Sequence, residues 1–568
     1  MKQKNISIKF ALQLFCLVTS TITSLAQTPN WAWVKQAGGI DYDTGKCITK
    51  DNSGNIYVAG TFTSSSIVFG SYTLTNNYNK NIYVVKYDTL GNVQWAKTAG
   101  PLSGGANSSA ISSICTDVNG NIFITGDFSC PNITFDSYTL TNLYTGQSDF
   151  FIVKYDSSGN VLWAKSASSS ENDCGNGITC DLNGNVIATG FYNNYISFGT
   201  TTLTSPYSSV PTKDVFVVKY DAAGNVLWAK TGDGTSNGTG ITTDATGNIF
   251  VTGMFGSDSI TFGTNTIINS NGGYDDIFLV KFDAFGNVIW LKKAGGANFD
   301  GSSSICTDIN GNIILAGYFK SPTITLGATT LTNSGNADLL VIKYNSSGNV
   351  IWAKAVGGSL HDWVYAINTD INGNIYITGG FGSWHLTFGS TTLTNSGGAI
   401  AGTLDVFVVK YDALGNALWA IKAGGIKDDY GLGISILSPS SVFISGDFAS
   451  FPIHFGSIFF NVLGNTAYDM FFAKISTTTS TISIFENEDY KSVIVFPNPV
   501  ITEATLKFSE EQKNSIVIIM DVFGKEIKIM NFSGKELIIK KEEINEGIYF
   551  VRIIDENNNV MNKKIIIQ

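Results

Sequence analysis

Asp308-Ile309-Asn310-Gly311-Asn312-Ile313-Ile314-Leu315-Ala316-Gly317 is the stretch that decides the fold, because the chain repeats it. A Gly-Asn pair, a run of aliphatic, aromatic or β-branched residues and then a Gly recur as NIYVAG at 55–60, NIFITG at 121–126, NVIATG at 185–190, NIFVTG at 248–253 and NIYITG at 374–379. A worn seventh copy, SVFISG, sits at 441–446. The step between copies ranges from 62 residues (Asn312 to Asn374) to 67 (Asn374 to Ser441). A period of that size made only of strands predicts a closed ring of sheets.

Within the fifth copy, SICTD at 304–308 reads as a short strand and NIILAGYF at 312–319 as a buried one. SPTITLGATTLTN at 321–333 reads as an extra hairpin around Gly327, DLLVIKY at 338–344 as the third strand, and NVIWAKAVGG at 349–358 as the fourth. Four antiparallel strands joined by tight turns make one blade. Asp-x-x-Gly-Asn marks the first turn (Asp51, Asp117, Asp181, Asp244, Asp308, Asp370) and the second (Asp88, Asp156, Asp221, Asp283, Asp412). The Asp side chain accepts backbone N–H bonds and the Gly takes the positive-φ position. A calcium loop of the EF type needs a later Gly and a distal Glu, which are not present.

One tryptophan per copy marks the fourth strand: Trp95, Trp163, Trp228, Trp290, Trp352 and Trp419. Strict register predicts that each packs between neighbouring blades. Trp363 and Trp384 fall outside that register. With His361 and His385 they are candidate ligand-binding residues. The seventh copy has no fourth strand, but Trp31-Ala32-Trp33-Val34-Lys35 at the other end of the chain carries the pattern with Trp33 in register. The N-terminal strand is therefore expected to complete the last blade, and Trp33 to matter more to stability than Trp31.

Both Asp-x-x-Gly-Asn turns fall on one rim. The inserted hairpins and the links between blades are expected on the other, around the channel where ligands usually bind. Those links read Gly-Gly-x-x-x-Asp and supply Asp43, Asp300, Asp362 and Asp429, with Asp173 at the same offset after Ser-Ser. These five carboxylates are read as ligand-binding candidates or as caps of local turns. A structural cation such as calcium is weighed for them; otherwise no cofactor is expected. His361, His385 and His454 lie in different segments without metal spacing, and no GxSxG, HExxH or P-loop is present, so no catalytic residue is assigned.

The chain has 568 residues, 43% of them apolar and 14% charged, with a formal net charge of −10. An acidic chain without a basic stripe argues against a nucleic-acid partner. Residues 1–26 read as a secretory signal: Lys2, Lys4 and Lys9, a short apolar run at 10–18, and Ser24-Leu25-Ala26 before the cleavage point. Cys16 leaves with it. Cys115 and Cys306 stand where other copies carry Thr or Asn and read as packed thiols, and a Cys174–Cys180 bridge is considered because export meets an oxidising compartment.

The segments Asp-x-x-Gly-Asn-Ile-Tyr-Val-x-Gly and Val-Lys-Tyr-Asp-x-x-Gly-Asn-Val-x-Trp resemble the SBBP-type bacterial β-propeller repeat over residues 29–476. Composition shifts at Thr477, giving a linker at 477–491 and a tail at 492–568 with seven short strands. The tail resembles the type A C-terminal sorting domain of the type IX (Por) secretion system of Bacteroidota. The likeness rests on Phe496-Pro497-Asn498-Pro499, on Asp521 and Gly524, on Gly547 and Tyr549, and on Lys563-Lys564. It implies recognition by the outer-membrane translocon, removal of the tail, and release or attachment to surface lipopolysaccharide.

The expected molecule is all-β: a signal (1–26), a seven-bladed β-propeller closed by an N-terminal strand (27–476), a linker (477–491), and a small Ig-like β-sandwich for sorting (492–568). Its expected role is binding or adhesion, with an unknown extracellular glycan or protein as ligand. The competing reading is an extracellular polymer-degrading hydrolase or lyase that uses the rim carboxylates.

Overall fold

The computed structural model describes residues 28–478 and 493–567, apart from 77–78, 102–107, 145, 168, 207–212, 399–401, 465–466, 522–525, 542–543 and 557–559. The expected signal, nearly all of the linker and Gly524 lie outside the described residues. The chain divides into two compact units after Thr479.

The fifth repeat shows how the first unit is built. Its strands Asp300–Thr307, Ile313–Phe319, Asp338–Tyr344 and Val350–Val356 pair in sequence order, all antiparallel. The two central strands are covered on both faces, which is why they read as continuous apolar runs rather than as alternating ones. The first turn is tied by Asp308. Its Oδ1 accepts the N–H of Asn310 and of Asn312, and its Oδ2 takes the Asn312 amide at 2.9 Å and Lys343 Nζ at 2.8 Å. Gly311 supplies the positive φ (73°) that closes this turn.

Among the described residues, seven sheets follow this four-strand plan. The first strands of successive sheets lie side by side, and the last of them, Asp429–Ser438, meets the first, Asp43–Lys50. The last sheet takes its outer strand from the other end of the chain, since Thr28–Ala37 pairs antiparallel with Asp469–Thr478. That strand continues to Thr478, past the expected start of the linker at 477.

The fourth-strand tryptophans hold neighbouring sheets together. Trp95 Nε1 and Lys86 Nζ both donate to Ser157 O in the next sheet, at 3.2 and 3.0 Å. Trp163 with Lys154 does the same to Ala222 O, Trp228 with Lys219 to Ala284 O, Trp290 with Lys281 to Ser346 O, and Trp352 with Lys343 to Ala413 O. At the closing seam Lys474 donates to Thr89 O, and Trp33 lies over Gly91, where an added Cβ would come within 2.9 Å of the indole. Trp419 Nε1 has no acceptor. The sheet it faces takes its third and fourth strands from distant segments, Asp469–Thr478 and Thr28–Ala37, and lacks the turn that would carry the carbonyl.

Three expectations need correction. Trp31 is as much a part of the closure as Trp33. A register shift at Ala32 turns the two indoles to opposite sides of the strand. Trp33 packs on Phe472 and Phe443, while Trp31 is 8% exposed, stacks edge-on with Phe455 at 5.0 Å and donates to Lys422 O.

The inserted hairpins do not crown the channel. They fold down the outer face of the ring, burying Ile324 and Leu326 against Leu340 and Ile342. Their tips approach the opposite rim, where Phe198 and Gly199 meet Gly224 and Val226. Finally, Cys174 and Cys180 are the two ends of one extended strand, about 20 Å apart at ~3.4 Å per residue, far beyond disulfide reach.

The second unit is a five-stranded antiparallel sheet assembly. The expected strands at 504–509 and 515–521 run on as one long strand, Glu503–Met520, which pairs with Val493–Phe496 at its start and Gly547–Ile554 at its end. Its partner Glu526–Lys540 is likewise continuous. Register shifts between Lys507 and Ser515 interrupt the ladder, which explains why the sequence reads as two shorter strands on each side.

Closure by two oppositely facing indoles predicts that Trp31→Ala and Trp33→Ala each lower unfolding free energy by roughly 3–5 kcal/mol, the usual cost of truncating a buried aromatic. Chemical denaturation of the two variants checks this, and a Trp31→Ala protein as stable as the parent contradicts it.

Candidate functional site

Each first strand carries a register shift at the same place: Thr44/Cys47, Ile111/Ser113, Gly175/Gly177, Gly238/Gly240, Ser302/Ser304, Val364/Ala366 and Gly431/Gly433. The extra residue of such a bulge leaves the ladder and re-aims its side chain. Here Lys46, Ser112, Asn176, Thr239, Ser303, Tyr365 and Leu432 line a central channel of about 440 Å³. Two residues farther along, every first strand places an isoleucine on the same wall: Ile48, Ile114, Ile178, Ile241, Ile305, Ile367 and Ile434. A uniform apolar ring thus adjoins a ring in which the residues differ.

The variable ring is sorted around the channel. On the third to fifth sheets it is amide and hydroxyl: Asn176 donates to Asn237 Oδ1 at 2.7 Å, and the hydroxyls of Thr239 and Ser302 lie 2.9 Å apart. On the sixth, seventh and first sheets it is Tyr365, Leu432 and Lys46, and from Tyr365 an arc of tyrosines runs on beyond the lining residues. Tyr365 meets Tyr430 at 5.9 Å between ring centroids, Tyr430 meets Tyr468 at 5.9 Å, and Tyr468 meets Tyr42 at 5.5 Å. Tyr42 is 54% exposed.

Asp447 sits opposite Tyr430 in the ladder. It is 7% exposed, and its Oδ1 has no hydrogen-bond partner. Burial pushes its carboxyl up to about 7 against the pull of Lys46. Burial, then the charge of Asp428, raises the Tyr430 phenol to about 12, and Tyr365 and Tyr468 move in the same direction with Asp447 contributing.

Asp43, Asp173, Asp300, Asp362 and Asp429 are all fully buried. Asp300 accepts the N–H groups of Gly296, Lys320 and Ser321 and the Ser321 hydroxyl, at 2.7–3.1 Å. Asp43, Asp362 and Asp429 repeat that pattern with Ser64, Ser383 and Ser450. Asp43, Asp300, Asp362 and Asp429 thus knit the link between sheets to the start of the hairpin, the turn-capping alternative for these residues, while Asp173 accepts the Asn193 N–H at 3.3 Å.

The Gly-Gly of the motif follows from the same geometry. The second glycine donates to the Asp. The first leaves room for another buried acid at the head of the third strand, as Gly357 does for Asp338 and Gly424 for Asp405. That second acid set, with Asp149, Asp214, Asp276 and Asp469, is legible in the sequence as an Asp at the head of the third strand in these sheets. Among the described residues no cluster of three or more His, Cys, Asp or Glu is arranged to hold a metal.

His361 and Trp363 stack at 5.5 Å, with Tyr318 at 4.4 Å and Lys320 Nζ at 5.6 Å from the Trp363 ring. Burial, then the charge of Lys320, lowers the His361 pKa. Trp384 and His385 form a second pair at 5.1 Å, with Trp384 39% exposed. Trp363 shares its strand with Tyr365 and so lies beside the arc; Trp384 and His385 lie at the head of an outer hairpin.

In the tail, Asn498 joins two of the expected motifs. Its Oδ1 accepts Ile566 N–H at 2.8 Å and its Nδ2 donates to Lys564 O at 2.9 Å. Phe496 is exposed, Tyr549 is buried, and Lys563-Lys564 lie on the last strand.

Residues 494–568 match the family model described as a secretion system C-terminal sorting domain, and residues 32–64 match the β-propeller repeat model. A chain with this tail is exported through the type IX secretion machinery to the cell surface or the extracellular space. An uncharacterized WD repeat-containing protein of Acanthamoeba polyphaga mimivirus is 26% identical over 564 residues, covering 82% of this chain. The chain spans 40% of that relative's length.

Two solved structures are similar at low identity. A Dyadobacter fermentans protein of unknown function has 10% identity and a TM-score of 0.38, covering 78% of this chain and 99% of its own. The Neurospora crassa Pan2 WD40 domain has 12% identity and a TM-score of 0.33, covering 65% and 89%. Among the described residues no helix is long and apolar enough to cross a membrane.

The buried acids make stability depend on pH in an uncommon direction. Burial, the largest cause in each, raises Asp43 and Asp469 to about 6, Asp149 to about 7 and Asp173 to about 8. The unfolded chain titrates these groups near ~3.9. Between about pH 4 and 8 the folded state therefore holds more protons, and their contribution to stability falls as pH rises. The melting temperature is expected to decline from pH 5 to pH 8, and Asp173→Asn to flatten that decline most between pH 6 and 8. A melting temperature that rises over this range rules the account out.

Proposed function

We propose that this chain is a secreted or surface-held binding protein, a seven-bladed propeller followed by an Ig-like sorting sandwich, that takes an extracellular glycan at the tyrosine arc that starts from Tyr365 of its channel. The observation that carries the reading is the unbroken series Tyr42, Tyr468, Tyr430, Tyr365 beside Asp447, a buried carboxylate with one free oxygen. Sugars present C–H faces that lie on aromatic rings and hydroxyls that donate to carboxylates. The amide and hydroxyl wall opposite offers further partners. Trp363, with His361, would extend the platform outward, and Trp384 with His385 would mark its periphery.

Asp447 keeps the hydrolase or lyase reading in view, because a carboxyl held near neutrality can serve as a general acid. A glycan array followed by a polysaccharide hydrolysis panel separates the two. Binding is expected without product, weakened at least about tenfold (~1.4 kcal/mol) by Tyr430→Ala. Product that disappears in Asp447→Asn would instead make the protein an enzyme.

The translocon is proposed to read Phe496, Pro497, Asn498, Pro499, Asp521, Gly524, Gly547, Tyr549, Lys563 and Lys564, with surface lipopolysaccharide as a further partner after sorting. Removing residues 492–568 is expected to leave folded propeller inside the cell envelope. Asn498→Ala, which unties the first motif from the last strand, is expected to reduce export. Cell fractionation with immunoblotting reads both, and normal surface levels of the truncated chain would refute the assignment.

A further inference from the structure

We propose that Cys115 and Cys180 form a disulfide that joins the first strand of the second sheet to the first strand of the third. Their Sγ atoms lie 3.0 Å apart, on the neighbouring first strands Ser109–Thr116 and Cys174–Cys180. Other sulfur contacts in the chain are longer: Cys47 Sγ to Ala59 O is 3.8 Å and Cys174 Sγ to Asp127 Oδ1 is 3.3 Å.

The repeat gives an independent reason to read this as a pair. Cys115 stands in the register of Thr49, Thr179 and Thr242, and Cys180 in that of Thr116, Thr243, Thr307 and Thr369. At the second position the threonines share one task, donating a hydroxyl across the seam: Thr116 to Lys50 O, Thr243 to Cys180 O, Thr307 to Thr243 O and Thr369 to Thr307 O, at 2.7–3.1 Å. Cys180 cannot make that bond well, since a thiol is a weak donor. The seam that loses the hydroxyl is the one where a cysteine also replaces the residue facing it. Cys306 shares the register of Cys115, but the position facing it is Thr369, and it stays single.

Export carries the chain through an oxidising compartment, where such bonds persist. Formation is an exchange with a disulfide-bonded donor protein. The thiolate of one cysteine attacks a donor sulfur and expels the other donor sulfur as a thiolate. The second cysteine then attacks the mixed disulfide, making the Cys115–Cys180 bond and releasing the donor as a dithiol. Two electrons and two protons pass from the cysteine pair to the donor.

The test uses the protein recovered after export. It is alkylated under denaturing, non-reducing conditions, digested and mapped by mass spectrometry. Peptides carrying Cys115 and Cys180 are expected to be linked, to separate on reduction, and to accept alkylating reagent only afterwards. Cys174→Ser should leave the link intact. Cys180→Thr restores the residue and the cross-seam hydroxyl that the other copies use, so it is expected to fold, with Cys115 freely alkylated. A reductant should lower the melting temperature of the parent and leave that of Cys180→Thr unchanged. Alkylation of both cysteines in the unreduced parent, or a link from either one to Cys130 or Cys174, overturns the proposal.

Discussion

The ring depends on a backbone carbonyl that two donors share at most of its seams. In five successive sheets the oxygen two residues before the turn glycine receives a tryptophan N–H and a lysine ammonium from the sheet before it. The indole then covers the glycine, where a side chain would clash. Much of the remaining sheet-to-sheet packing is apolar area, which is tolerant of sliding, with single threonine hydroxyl bonds across several seams. A two-donor contact on a single oxygen is directional, so it sets the angle at which each sheet meets the next. The same residues recur because the same angle must recur for the ring to close.

Where Thr28–Ala37 closes the last sheet, this device has to be improvised. No turn joins Asp469–Thr478 to Thr28–Ala37, so Trp419 has no carbonyl to reach. Trp31 takes over part of its role from the opposite side of the seam, with its own N–H on Lys422 O and its ring against Phe455. A valine or alanine stands at that register in the other fourth strands, which is why Trp31 looked like an accessory to Trp33.

Much of the architecture was legible because the period, the Gly-Asn turns and the tryptophans are all local signals repeated in register. What the sequence hid is direction. Asp43 and its equivalents recur as a polar motif, yet nothing in the motif says whether a carboxylate points at water or back at its own loop. The serine that satisfies it lies 21 residues away in sequence. The hairpins did carry a clue: Ile324, Leu326 and Leu331 alternate with polar residues, the pattern of a ribbon with one face to bury. The channel wall was the hardest to see, because a bulge shifts the alternation by one residue and no composition marks it. In the tail, two long strands looked like four short ones where the ladder is interrupted.

The bulged positions have a consequence for how such a chain can change over generations. Lys46, Ser112, Asn176, Thr239, Ser303, Tyr365 and Leu432 stand outside the ladder, and the seam latches do not use them. Copying a repeat therefore duplicates the scaffold while leaving one residue per copy free to drift. Selection can retune the lining one sheet at a time, much as tumblers in a lock are cut separately while the barrel that holds them is kept.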